Sequence, residues 1–179
     1  GVTEFLPVSS TFHLVWTARL LGIGQSEFQK LFEIVIQSGA ILAVVITYYQ
    51  VIIRDRELIR KIIVSFIPTA AVGFILYKII KNIFLTDFQL QLAVFAAVGI
   101  IFIVFEKANQ GIKLTKTNTN ITYKEAILVG LIQSLAVVPG VSRAGAVILA
   151  LMFLKVRRDE AAKYSFLLAV PTLLAAAGL

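Results

Sequence analysis

Three apolar runs, spanning residues 31–53, 62–80 and 88–105, dominate what this chain can become. About 20 helical residues cross roughly 30 Å of hydrocarbon, and each run reaches or approaches that length. Inside lipid every backbone amide needs an internal partner, so the runs are predicted to be transmembrane helices, the second tolerating Pro68 and Gly73. A fourth run begins near Tyr164 and continues to Leu179. Composition agrees. Apolar residues make up 59% of the chain and charged residues 15%, with a mean hydropathy of +0.91. That leaves too little polar surface to coat a water-soluble globule. The chain opens at Gly1 with neither an initiator Met nor a signal pattern and stops inside an apolar run, so both ends are expected to be cut from a longer protein.

The net charge of +7 raises nucleic acid as a partner, but the basic residues cluster between apolar runs as juxtamembrane anchors do, and no nucleic-acid partner is expected. The absence of cysteine removes disulfide and thiolate chemistry.

Two further apolar stretches are interrupted. Residues 5–23 are broken by Pro7 and Ser9-Ser10-Thr11, and residues 126–154 by Pro139-Gly140-Val141-Ser142-Arg143. Each predicts two half-helices meeting at a polar turn. Basic residues decide how they sit. Segments 54–61, 107–124 and 155–163 carry four Lys or Arg each, whereas 18–30 and 78–87 together hold only Arg19, Lys30, Lys78 and Lys81. The three rich segments share one face only if 126–154 enters the membrane and returns, and the positive-inside rule makes that face cytoplasmic.

A weak internal repeat points the same way. Gly1-Val2-Thr3-Glu4-Phe5-Leu6 echoes Gly130-Leu131-Ile132-Gln133-Ser134-Leu135, and residues 32–37 lie at nearly the same offset as 164–169. Three crossings between the broken elements make them enter from opposite faces, the inverted-repeat arrangement with a binding site near the midplane. The expected fold is therefore an all-α polytopic membrane protein, an inverted-topology repeat with two re-entrant helix hairpins. Residues 1–179 form one domain: repeat one at about 1–106, a polar loop at 107–122 and repeat two at about 123–179.

The broken elements carry the chemistry. Ser9, Ser10 and Thr11 can cap one half-helix and Ser142 the other, so two helix N-termini with free amides would face each other, a setting for phosphate or diphosphate. Arg143 adds a permanent charge and a two-pronged donor. Arg143, Ser142, Ser9, Thr11 and Gly140 form the expected substrate-binding set. His13, the only histidine, lies three residues beyond Ser10 on the same helical face, so hydroxyl and imidazole can converge on one phosphorus. An ionisable group inside a membrane segment is costly, which favours function over mere packing. Glu4 would repel a diphosphate unless a divalent cation lay between them; its structural alternative is an ion pair with Arg143. Glu33 and Gln37 sit one turn apart, and helix-to-helix hydrogen bonding explains them as well as function does.

These residues resemble the undecaprenyl-diphosphatases, also called bacitracin-resistance proteins. Thr3-Glu4-Phe5-Leu6-Pro7-Val8-Ser9-Ser10-Thr11 with His13 is similar to that family's first signature and Pro139-Gly140-Val141-Ser142-Arg143 to its second. Segments 32–46, 123–133 and 165–171 are similar as well. The resemblance implies hydrolysis of a polyprenyl diphosphate, undecaprenyl diphosphate, to the monophosphate, recycling the lipid carrier of cell-wall synthesis, usually with a divalent metal ion, Mg or Ca. It gives Glu4 metal or diphosphate handling, Ser10 and His13 phosphoryl transfer, and Arg143 the phosphate clamp. Three departures stand out. The family's further glutamate, four residues ahead of Glu4, would precede Gly1. Phe12 stands where glycine is usual, and Ala144 and Val147 replace the usual Ser and Thr.

The expected setting is the plasma membrane, multi-pass, with the site opening on the extracytoplasmic side near Gln25 and Phe84 and a prenyl-tail groove lined by Phe5 and Leu6. A homo-oligomer is compatible with such a fold. The competing class is a transporter or lipid flippase built on the same repeats; a passive scaffold leaves Arg143 and His13 at membrane depth unexplained.

Overall fold

A computed structural model of the chain describes residues 2–23, 27–79, 88–111 and 113–178. The described residues are helical apart from turns, loops and a single isolated bridge between Lys116 and Val156. Nine helices follow one another among them: α1 Val2–Phe5, α2 Ser10–Leu20, α3 Glu27–Thr47, α4 Tyr49–Arg54, α5 Arg56–Ile79, α6 Phe88–Ala108, α7 Tyr123–Ser134, α8 Arg143–Phe153 and α9 Arg158–Gly178.

The core lies where α5, α7, α8 and α9 meet. Leu58 and Ile62 pack with Ala126, Val129, Val147, Leu151, Tyr164 and Leu168, all essentially without exposure. Between α5 and α7 the contact is closer than apolar packing permits. A Cβ on Gly130 would fall 2.0 Å from the Ser65 carbonyl oxygen, so only glycine lets the two backbones touch. That approach brings hydroxyls onto helix carbonyls. The Ser65 hydroxyl donates to the Ala126 carbonyl at 2.7 Å, and four residues on the Thr69 hydroxyl donates to the Gly130 carbonyl at 3.0 Å. Gln133 Nε2 extends the seam, donating to Thr69 at 2.8 Å and to Thr172 of α9 at 3.3 Å. The Tyr164 hydroxyl donates to the Lys61 carbonyl at 3.1 Å.

The outer surface has the opposite character. The only buried residue of α6 is Gln91, while Ile100, Ile101, Ile103 and Val104 are exposed. On α5, Ile63, Ile67, Phe74 and Ile75 also face outward. A helix that turns its apolar side chains out and tucks a glutamine in is arranged for lipid as solvent. Two helices, Arg56–Leu76 and Phe88–Ala108, have the length and composition to cross a membrane.

One end of the bundle gathers the basic loops. Lys61 Nζ donates to the Thr119 carbonyl at 3.1 Å, the Arg157 amide donates to the Lys116 carbonyl at 2.9 Å, and Lys116 pairs with Glu125 at 2.7 Å. Segments 54–61, 107–124 and 155–163 are thereby stitched together, so α7 and α8 go out and return to the same end. Thr122 and Glu125 close a reciprocal cap that starts α7. With 12 and 11 residues, α7 and α8 are about 18 and 16 Å long, too short to cross a bilayer separately.

Two sequence expectations need correction. The single helix expected over 31–53 is divided at Tyr48 into α3 and α4. The bonds from the Tyr48 amide to the Val44 carbonyl and from the Ile52 amide to the Tyr48 carbonyl persist, so the division is a local distortion at Tyr48, whose ψ has risen to 17°. The last helix begins at Arg158, six residues before Tyr164, because Asp159 and Glu160 favour a helix N-terminus. Ile80, the expected end of the second span, lies outside the described residues.

The seam yields a stability test. Gly130→Ala should destabilise the protein by about 1–3 kcal/mol, since the methyl group must push two helix backbones apart. Gly99→Ala, with nothing near its Cβ position, should leave it unchanged. Thermal unfolding of both variants in detergent checks the difference; equal midpoints would show that α5 and α7 are not held by this contact.

Candidate functional site

The site forms where the two broken segments meet. After α1 the chain turns at Pro7 and Val8, and α2 starts at Ser10; the second break, Val138 to Ser142, precedes α8. Glu4 at the first break and Arg143 at the second are 139 residues apart in sequence, yet Arg143 Nη2 donates to Glu4 Oε1 at 2.8 Å. The pair is shielded, with 6% of the Glu4 side chain and 13% of the Arg143 side chain exposed. Ser10 completes the cluster. Its hydroxyl donates to Glu4 Oε2 at 2.5 Å, so one carboxylate is held from both sides by the two segments. The ion pair weighed as the structural alternative for Glu4 is therefore present.

Arg143 is not satisfied by that pair. Its Nη1 is buried and has no hydrogen-bond partner. A buried guanidinium nitrogen with spare donors is costly unless an anion meets it. Beside it, Ser142 caps α8 by accepting from the Gly145 amide at 3.2 Å, which leaves its own hydroxyl proton free to donate.

The other break behaves differently from expectation. Ser9 occupies the capping position of α2, but its backbone is left-handed, with φ 52° and ψ 88°, and its side chain makes no capping bond. The polar run thus does not cap α2 as expected, and the first-turn amides lack that side-chain acceptor. The left-handed turn instead aims the Ser9 carbonyl back at His13, whose Nδ1 lies 2.9 Å away. A carbonyl only accepts, so the ring donates through Nδ1 and presents Nε2 as an acceptor. Ser10 and His13 share a helical face, but each is bonded elsewhere, Ser10 to Glu4 and His13 to Ser9. Thr11 is exposed and does not join the cluster.

Gly140 has φ 103°, and a Cβ there would lie 2.8 Å from the Gln91 carbonyl oxygen and 3.1 Å from the Phe95 amide nitrogen. Its place in the structure is a tight seat of the second turn on α6. A cavity of about 30 Å³ adjoins Glu4 and Ser10, lined also by Thr3, Gln37, Leu14 and Ile36. Gln37 thus reaches the site; the Glu33 side chain lies outside the described residues. Among the described residues no group of three His, Cys, Asp or Glu side chains converges on a metal position. The cavity is nevertheless bordered by Thr3, Glu4, Ser10 and Gln37, whose side chains carry the hard oxygens that Mg or Ca takes.

Phe5 is half-buried, its ring packed edge-on against Phe166 at 5.1 Å. Leu6 is exposed. An apolar groove of about 510 Å³ runs instead between α6 and α8, from Pro7 past Phe102, Ile148, Leu149 and Met152 to Arg158. The expected mouth near Gln25 and Phe84 lies outside the described residues. Ala144 and Val147, where hydroxyls are usual, are buried, Val147 in the apolar core. Sequence reasoning missed Phe95 and Phe102 of α6. The signal that marks their face of α6 is Gln91, one turn before Phe95, a polar residue that a largely apolar helix buries.

Comparison with known proteins covers the same ground. The chain is 48% identical over 179 residues to an undecaprenyl-diphosphatase of Campylobacter hominis, covering 98% of this chain and 69% of the relative. It is 43% identical over 176 residues to the Aquifex aeolicus undecaprenyl-diphosphatase, with 98% and 69% covered. It is 44% identical over 173 residues to that of a Sulfurihydrogenibium species, with 97% and 68% covered. The family model described as "Bacitracin resistance protein BacA" matches residues 1–179. With both signatures meeting at one shielded carboxylate and the match running end to end, this chain belongs to the bacitracin resistance protein BacA family.

Proposed function

We infer that this protein is a membrane phosphatase that hydrolyses undecaprenyl diphosphate to undecaprenyl phosphate and inorganic phosphate, returning the lipid carrier to cell-wall synthesis. The observation that carries the reading is the buried, unpartnered Nη1 of Arg143, the first residue of α8, which follows the Ser142 cap in the chain. A terminal phosphate placed there would take hydrogen bonds from Arg143, Ser142 and backbone amides, the donors that stabilise charge developing on phosphoryl oxygens.

Ser10 and His13 supply two routes for the proton that hydrolysis must move. If Ser10 attacks phosphorus, its proton passes along the existing hydrogen bond to Glu4, the phosphoanhydride bond breaks to release undecaprenyl phosphate, and water then hydrolyses the phosphoserine to inorganic phosphate. If water attacks, the open Nε2 of His13 accepts its proton, with Ser9 fixing the tautomer. Glu4, with the oxygens of Thr3, Ser10 and Gln37, would hold a divalent cation, which supplies charge neutralisation between carboxylate and diphosphate when bound. The groove between α6 and α8 is the proposed seat of the prenyl tail, being apolar and beginning at Pro7 beside the site.

We further propose that 5–23 and 126–154 are re-entrant hairpins of an inverted repeat in a multi-pass protein. Two features support this: α2 and α8 each have 11 residues, and α3 and α9 each have 21. The stitched basic end faces the cytoplasm, so the site opens to the other side.

Release of inorganic phosphate by the purified intact protein given undecaprenyl diphosphate tests the reaction; movement of intact lipid across vesicles without phosphate release would make it a flippase. Arg143→Lys should lower kcat/KM by roughly 100-fold or more, since lysine keeps the charge but loses the fork, and near-normal turnover would remove Arg143 as the clamp. Glu4→Gln should raise the divalent-metal concentration needed for half activation; an unchanged titration takes Glu4 out of the metal shell. Residues 1–179 hold no cysteine, so in an intact protein otherwise free of cysteine Ile23→Cys and Asn120→Cys can be labelled individually in whole cells. Impermeant maleimide should reach the first and not the second, and the reverse pattern inverts the topology.

A further inference from the structure

We propose that Phe95 is a positioning residue that fixes the His13 ring and locks the two broken segments to one ruler, helix α6. The proposal rests on the reading that His13 serves phosphoryl transfer. Residues 88, 91, 95 and 102 follow one another at steps of three, four and seven, which places them along a single stripe of α6. That stripe meets both segments. Phe12 of α2 stacks on Phe95 at 4.3 Å between ring centroids, nearly parallel at 13°, and on Phe88 at 6.0 Å. On the other segment, the Gly140 turn sits against the Gln91 carbonyl and the Phe95 amide, and a Cβ on Gly145 would fall 2.2 Å from Phe102 Cζ. Phe95 touches both sides, with its ring on one and its backbone on the other.

His13 completes the argument. Its ring stands edge-on to Phe95 at 5.7 Å and 81°, while Nδ1 donates to the Ser9 carbonyl. One hydrogen bond alone holds an imidazole weakly: without a second contact the ring rotates off the carbonyl, and once off it either nitrogen can carry the proton. The stacked rings of Phe95 and Phe12, both nearly perpendicular to the imidazole at 5.7 and 6.1 Å, restrict that rotation by packing against it. Two contacts together define where Nε2 points, and a misplacement of about 1 Å at such a group costs up to 100-fold in rate. Phe12 then has a use: it fills the space between α2 and α6 and seats the histidine-bearing turn on Phe95.

His13 is the single histidine of residues 1–179, and its imidazole in nitrogen-15 histidine-labelled protein is identified by the signal lost in His13→Asn. In the wild-type protein in detergent the proton should reside on Nδ1. In Phe95→Leu, which keeps an apolar helix former at this position, the spectrum should show mixed tautomers. Its kcat should fall roughly 10- to 100-fold, with KM for the lipid within about two-fold. Phe95→Tyr, which retains the ring face, should restore both readouts. An unchanged tautomer in Phe95→Leu overturns the proposal whether or not kcat falls, and mixed tautomers with unchanged kcat overturn it as well. Should the wild-type protein release no phosphate, the functional reading fails, while the tautomer measurement still decides whether Phe95 fixes the ring.

Discussion

The arrangement depends on one shielded carboxylate. Glu4 is reached by Ser10 from its own segment and by Arg143 from a segment 139 residues away. Each contact alone would be weak as stability: a buried ion pair gains attraction and loses hydration in comparable amounts. Its worth lies in alignment. A guanidinium that donates one prong to Glu4 must present the other at a fixed angle, and that second prong is the donor left without a partner. The pair thereby sets the direction in which the proposed phosphate would be received.

Much of this was readable from the residues, and the reason is specific. Proline and serine interrupting apolar runs left visible marks at both breaks, so the half-helices α2 and α8 were placed nearly as they occur. The tally of lysine and arginine placed segments 54–61, 107–124 and 155–163 together, and the contacts of Lys61 with Thr119 and of Lys116 with Arg157 join them. What was hidden depends on backbone detail or on partners distant in sequence. The left-handed turn of Ser9, which turns an expected cap into a carbonyl support for His13, is no property of a serine in isolation. Nor does an apolar phenylalanine reveal whether it faces lipid, as Phe74 does, or another segment, as Phe95 does.

Two kinds of polarity keep the helices in place. Inside, hydroxyls of Ser65 and Thr69 find carbonyls of α7, and Gln133 ties both helices to α9. Between helices surrounded by lipid such bonds guide association, since hydrocarbon neither rewards nor penalises apolar contact strongly. Glycine at position 130 is the geometric condition for the ladder, and the catalytic region inherits its rigidity from it because α7 leads directly into the second break.

The shortness of α7 and α8 has a consequence for biogenesis. An insertion machinery that samples one nascent segment at a time recognises α5 and α6 by length and apolarity, but segments of 12 and 11 residues offer it no complete span. In the proposed re-entrant arrangement they enter the bilayer only by leaning on helices already there. Synthesis order therefore suits the architecture: α5 and α6 leave the ribosome before α7 and α8 and stand ready as their docking wall. The charged pair that joins the two breaks is then withdrawn from water late, after its apolar surroundings have assembled.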